Sequence, residues 1–188
     1  ANLFAVHPSV PAKNLKELIA LAKRQPGKLN FASSGIGSSN HLSGELLKTM
    51  AGIEMTHIPY RGTGSLMPDL IAGRVPMMIN PVLAVINQVN AGRLRLIAVT
   101  SSKRVSTLPE IPTIAESVPG YENFGWYSIV APTGTPQDIL AKVNAEVVKA
   151  VKEPQFGEQL KSLGIDLVGN TRADGESHPY IGIAYNGF

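Results

Sequence analysis

Five short apolar runs, Leu3–His7, Leu29–Ala32, Met55–Ile58, Met77–Ile79 and Leu94–Thr100, alternate in the first hundred residues with helix-patterned stretches. Few folds tolerate such an alternation. Strands separated by a helix's worth of chain cannot pair as tight hairpins, so the pattern predicts α/β architecture: a parallel sheet with right-handed crossovers and helices on its faces. The runs Met77-Met78-Ile79 and Leu96-Ile97-Ala98-Val99 lack an apolar/polar alternation and read as covered on both sides. The first helix is predicted over Leu15–Arg24, with Leu15, Leu18, Ile19 and Ala22 on one stripe, Asn14 and Glu17 as a capping pair, and Pro26-Gly27 as its stop. Leu42–Met50, Leu66–Ala72 and Val82–Val89 supply the next three helices.

Beyond Thr100 the pattern changes. Residues 102–123 are turn-rich and read as a connector, with one helical turn near Thr113–Glu116. Phe124–Ala131 reads as a strand. Thr135 is placed to cap, and Pro136 to start, a helix over Pro136–Val151 carrying Ile139, Leu140, Val143, Val147 and Val151 at helical spacing. A short helix from Pro154 to near Gly164 and a strand within Leu163–Val168 follow, and from Asn170 the periodicity vanishes.

The chain of 188 residues is 44% hydrophobic and 16% charged, enough apolar content for a sizeable core. A net charge of +3 arises without a basic run, which argues for small acidic ligands or simple solubility over nucleic acid. With no cysteine, thiolate chemistry is excluded, and no apolar run is long enough to span a bilayer as a helix.

The chemistry-bearing segments are turns. Leu29 to His41, LNFASSGIGSSNH, reads as a strand entering a glycine- and serine-rich turn that opens a helix, where unpaired N–H groups and the positive dipole end suit a carboxylate or phosphate. Gly35 and Gly37 permit close approach; Ser33, Ser34, Ser38 and Ser39 add hydroxyls. A flexible, well-capped connection would use the same residues. A second such turn, Pro59 to Ser65, brings Tyr60, Arg61, Gly62 and Thr63, with Arg61 suited to bidentate carboxylate contact or, equally, to pairing with a surface acid. A third strand ends at Asn80-Pro81. In open α/β sheets ligands bind beyond the carboxyl ends of the strands, where these three turns would converge.

His41 and Glu45 are four apart and read as a helical pair rather than a metal site, and His57 as a structural histidine. His7 and His178 have no evident partner. No Gly-x-Ser-x-Gly elbow, His-Glu-x-x-His or phosphate-loop motif occurs, so no catalytic residue and no metal ligand is assigned.

Phe4 to Lys13 (FAVHPSVPAK), Pro26 to Phe31 (PGKLNF), Ser39 to Glu45 (SNHLSGE), His57 to Gly62 (HIPYRG), Ala91 to Arg95 (AGRLR), Ala98 to Arg104 (AVTSSKR) and Leu108 to Thr113 (LPEIPT) resemble the substrate-binding proteins of tripartite tricarboxylate transporters, the Bug or TctC family. Pro119-Gly120-Tyr121 and Ala131 to Pro136 continue the likeness, which covers about residues 3–169. The resemblance implies a two-lobed, hinge-closing, periplasmic-binding-protein-like (type II) fold and a periplasmic receptor that hands a small carboxylate or related metabolite to membrane components of a transporter. It implies no cofactor, no nucleic acid and no enzymatic activity. On that pattern 1–123 is a complete second lobe, 124–169 a partial first lobe and 170–188 an irregular tail. The chain then reads as N-terminally truncated, with a homodimer through exposed first-lobe surfaces as one consequence. The implied ligand contacts are Ser33, Ser34, Gly35, Gly37, Ser38, Ser39, His41, Tyr60, Arg61, Gly62, Thr63 and Asn80. A small α/β enzyme acting on an anion, or the sensing lobe of a regulator, are the competing readings.

Overall fold

The computed structural model describes residues 2–105, 107–123, 125, 127–129, 131–132, 134–162 and 181–183, and its contacts divide the chain after Gly125 into two units. In the first unit, strands β1 (Asn2–Val6), β2 (Asn30–Ser33), β3 (Thr56–Pro59), β4 (Met77–Pro81) and β5 (Arg95–Val99) form one sheet in the order β3-β2-β4-β1-β5. Helices α1 (Leu15–Arg24), α2 (Ser39–Ala51), α3 (Thr63–Ile71) and α4 (Val82–Asn90) intervene. The α/β expectation holds, with one correction to the sheet. β1 pairs antiparallel with both β4 and β5, so the sheet is mixed, while β2 is parallel to β3 and β4. The alternation of strands and helices could not reveal this, because strand direction is set by the side on which β1 enters the sheet.

Side-chain alternation along β1 builds the core in two halves. Phe4 and Val6 join Leu15, Leu18, Leu47 and Phe31 on the α1/α2 face, while Leu3 and Ala5 join Leu66, Leu70, Val82 and Val85 on the α3/α4 face. A register shift opposite Phe4 and Ala5 leaves Ile97 as an extra residue in β5, which explains why Ile97 and its neighbour Ala98 pack on the same face. Asn14 caps α1 as expected: Glu17 N donates to Asn14 Oδ1 at 2.9 Å, Lys13 N donates to Glu17 Oε2 at 2.7 Å, and Asn14 Nδ2 donates to Glu17 Oε1 at 2.8 Å. Helix α2 meets β2 at Gly44, where the Phe31 ring occupies the space that a Cβ would fill.

The segment read as a connector is part of the core. Ile114, on a single 3₁₀ turn, and Val118 and Tyr121 after it are buried against the α1/α2 face, and Tyr121 Oη donates to the Ser43 carbonyl at 2.9 Å. Its prolines and glycine set the path of the chain, and its four-to-three-residue spacing of apolar side chains does the packing. His7, for which the sequence offered no partner, bonds Ser9 Oγ through Nδ1 at 2.7 Å.

In the second unit, β6 (Tyr127–Ile129) pairs antiparallel with β7 (Ile181–Ile183), and α5 (Gln137–Lys152) and α6 (Pro154–Ser162) form a helical pair. β7 lies in the segment read as an irregular tail; the short alternation Ile181-Gly182-Ile183 is its signal. Thr135 does not cap α5: its hydroxyl donates to the Pro132 carbonyl at 2.7 Å, and Pro136 occupies the cap position. Among the described residues α5 buries no side chain, and Ile139 and Val143 are exposed. The strand expected within Leu163–Val168 and His178 lie outside the described residues.

Candidate functional site

Because β1 is reversed relative to its neighbours, β2, β3, β4 and β5 all point the same way, and their carboxyl ends share one edge. Three helices begin there. Ser38 caps α2, its hydroxyl accepting from His41 N at 3.4 Å, which leaves the N–H groups of Ser39 and Asn40 without a side-chain acceptor among the described residues. Helices α3 and α4 start at Gly62 and Pro81 with no side-chain cap at all. Three positive dipole ends, two of them uncapped, therefore lie along one edge of the sheet. That arrangement favours an anion.

The first two turns are one surface. Tyr60 N donates to the Ser33 carbonyl at 3.0 Å and Gly62 N to the Ser34 carbonyl at 3.1 Å, extending the β2–β3 ladder past the strand ends. The left-handed backbone at Gly37 (φ 80°) and Gly62 (φ 97°) makes both turns possible, a conformation other residues adopt only at a cost.

The serine hydroxyls, read from sequence as ligand donors, are largely engaged inside the protein. Ser33 is fully buried; its Oγ accepts from Gly35 N at 3.1 Å, lies 3.0 Å from the Gly35 carbonyl and 2.6 Å from His57 Nε2. Ser34 Oγ donates to Asn40 Oδ1 at 2.9 Å, and Ser38 Oγ donates to the Gly35 carbonyl at 2.6 Å. Ser39, by contrast, is partly exposed beside the free N–H groups.

Asn80 also serves the protein first. It is 1% exposed, its Oδ1 accepts from Asn40 Nδ2 at 2.8 Å, and its amide lies 3.3 Å from Thr63 Oγ1. One buried amide thus ties β4 to the first turn through Asn40 and to the second through Thr63. Asn40 was not singled out from sequence; its signal is an amide on the second residue of a helix whose neighbouring face is apolar. Tyr60 Oη donates to Asp69 Oδ2 at 2.8 Å, and Asp69 Oδ1 takes Arg74 at the same distance. Burial, then the Asp69 bond, pushes the Tyr60 phenol above its ordinary value, while Arg74, then Tyr60, holds the Asp69 carboxyl low. The phenol is a strut between the second turn and α3.

Arg61 is exposed on the second turn, and among the described residues no acid pairs with it. His41 Nε2 lies 4.0 Å from Glu45 Oε1, but Lys48 Nζ takes both Glu45 oxygens at 2.7 and 2.8 Å. Among the described residues no third His, Cys, Asp or Glu completes a metal-binding group with them.

A family model described as "Tripartite tricarboxylate transporter family receptor" matches residues 2–176. A UPF0065 protein from the tcbD-tcbE intergenic region of Pseudomonas sp. (strain P51) is 44% identical over 176 residues, 89% of this chain and 52% of that protein. Protein BugT of Bordetella pertussis is 33% identical, across 86% of this chain and 50% of its own length. Among solved structures, an R. palustris protein with adipate superposes with a TM-score of 0.87 at 37% identity, covering 94% of this chain and 59% of that one. MatC from Rhodopseudomonas palustris, with bound malate, gives 0.76 at 28% identity, covering 87% of this chain and 56% of its own. The chain spans about half the length of these two curated relatives. No helix among the described residues is long and apolar enough to cross a membrane.

Proposed function

The chain belongs to the tripartite tricarboxylate transporter receptor family, and from that premise we propose that it carries the carboxylate-binding half of an extracytoplasmic solute receptor. The observation that carries this reading is the row of three helix N-termini, two uncapped, at one sheet edge beside Arg61, which pairs with no acid among the described residues. The ligand is a small dicarboxylate of the size of adipate or malate, the acids bound in the two R. palustris structures. Its donors are the N–H groups of Ser39, Asn40, Thr63 and Gly64, the Ser39 hydroxyl and the Arg61 guanidinium; Ser33, Ser34, Tyr60 and Asn80 hold these in place. The receptor acts in the periplasm, delivers its ligand to membrane components of a tripartite transporter and returns it chemically unchanged.

Calorimetric titration with adipate and malate tests this. Saturable binding of at least one acid, with full recovery of the unaltered acid, is expected. Arg61→Ala should weaken it about tenfold or more, the worth of one charge-assisted hydrogen bond. Absence of saturation by either acid, an Arg61→Ala variant of unchanged affinity, or turnover of the acid would overturn the proposal.

A further inference from the structure

Below the first turn lie two stacked imidazoles, with ring centroids 4.1 Å apart and planes at 32°. They meet the turn at two points. Gly37 N donates to His41 Nδ1 at 3.1 Å, and His57 Nε2 lies 2.6 Å from Ser33 Oγ. We infer that His41 and His57 are positioning residues of the anion turn, and that protonation of His41 Nδ1 releases Gly37 and lowers carboxylate affinity. This inference rests on the proposed binding role of that turn.

The hydrogen-bond inventory fixes which nitrogen of His41 is bare. Ser33 Oγ has one proton, and the Gly35 carbonyl at 3.0 Å is its acceptor when His57 donates through Nε2–H. Gly35 N also donates to the same hydroxyl, so this pattern satisfies every member of the Ser33 group. His41 must keep Nδ1 bare to accept from Gly37, with its proton on Nε2 toward Glu45. A second proton on His41 removes that acceptor. The backbone of Gly37, at φ 80°, then loses the bond that holds it beside the start of α2.

The groups facing the pair define its electrostatic surroundings. From α2 come Glu45 and Lys48, and their mutual ion pair leaves the Glu45 carboxylate shared rather than dedicated to His41. From β2 come Ser33 and the Phe31 ring, 5.0 Å from His57. From β3, His57 itself is held below its ordinary value, chiefly by burial and then by the neighbouring His41. Two imidazolium ions at this separation repel, so the first proton on the pair opposes the second.

The test begins without ligand. In a pH titration followed by NMR, the Gly37 amide is expected to move with the same midpoint as the His41 ring protons. Adipate affinity should then fall through the same midpoint, as the fraction with Gly37 held by His41 falls. His41→Asn places a non-titrating oxygen near Nδ1 and should flatten the acid limb of both the Gly37 amide shift and the adipate affinity; His41→Ala should lose affinity at all pH values. An unmoved Gly37 amide through the His41 titration, or an unchanged acid limb in His41→Asn, would overturn the inference. Should neither acid bind, the proposed function fails while the Gly37–His41 linkage is still decided by the amide titration.

Discussion

Gly44→Ala is a demanding test of how α2 sits on the sheet. An ideal Cβ at position 44 would lie 2.6 Å from Cζ and 2.7 Å from Cδ2 of Phe31, both well inside contact distance. The ring has little room to swing clear, because Phe31 is 1% exposed, shares a buried cluster with Leu47 and Met77 and lies 5.0 Å from the His57 ring. Overpacking of this kind costs about 1–3 kcal/mol, against a helix-interior gain of about 0.5–1 kcal/mol for alanine over glycine. The net expectation is destabilisation of about 1–2 kcal/mol, read as a lower urea midpoint at unchanged slope. Phe31→Leu in the same background should recover part of the loss, giving a coupling of about 0.5 kcal/mol or more in the double-mutant cycle. A Gly44→Ala protein as stable as the parent, or more stable, would refute the close approach, since propensity alone would then account for the result.

Two further perturbations probe the edge of the sheet and the surface. Asn80→Ala removes the acceptor of Asn40 Nδ2 and the partner of Thr63; it should cost about 1–3 kcal/mol in denaturant unfolding, with a loss of adipate affinity, and unchanged values of both would refute the tie between the turns. The Glu116 carboxyl is held down to about 2 from an ordinary value of 4.5 by the Arg104 guanidinium and then by Thr113 N. A depressed folded-state value means its contribution is complete above 4.5 and lost as pH falls toward about 2. Glu116→Gln should therefore flatten the acid decline of stability in that window, and an identical decline in the variant would count against the pairing.

Much of the first unit was legible because its signals are local. The Asn14–Glu17 box, the Gly52 stop of α2 and the buried runs of β4 and β5 each follow from residues close in sequence. What escaped was decided by distant partners. β1 reads as any short apolar strand, yet its reversed direction comes from the strands it lies between. The segment through Ile114, Val118 and Tyr121 has the composition of a connector, and only the presence of the α1/α2 face makes it core. Thr135 looks like a cap, but the Pro132 carbonyl three residues back competes successfully for its hydroxyl.

The site divides along the same line, and the division bears on mechanism. Which turns meet was readable, since strands that share a direction bring their carboxyl ends together. Which atoms are left for a ligand was not, because a hydroxyl that can reach a ligand can equally reach a backbone carbonyl or an imidazole. Ser33, Ser34 and Ser38 spend their protons on the turn itself, and Asn80 spends its amide on Asn40 and Thr63. These commitments hold rigid the backbone N–H groups that remain, so less ordering entropy is lost when an anion arrives. On the proposed binding role, the side chains that looked like ligands raise affinity by fixing donors that carry no side-chain signature. For such a turn the effect of substituting a serine depends on the internal bond it breaks, and the Gly37–His41 contact is where a single proton tests that dependence.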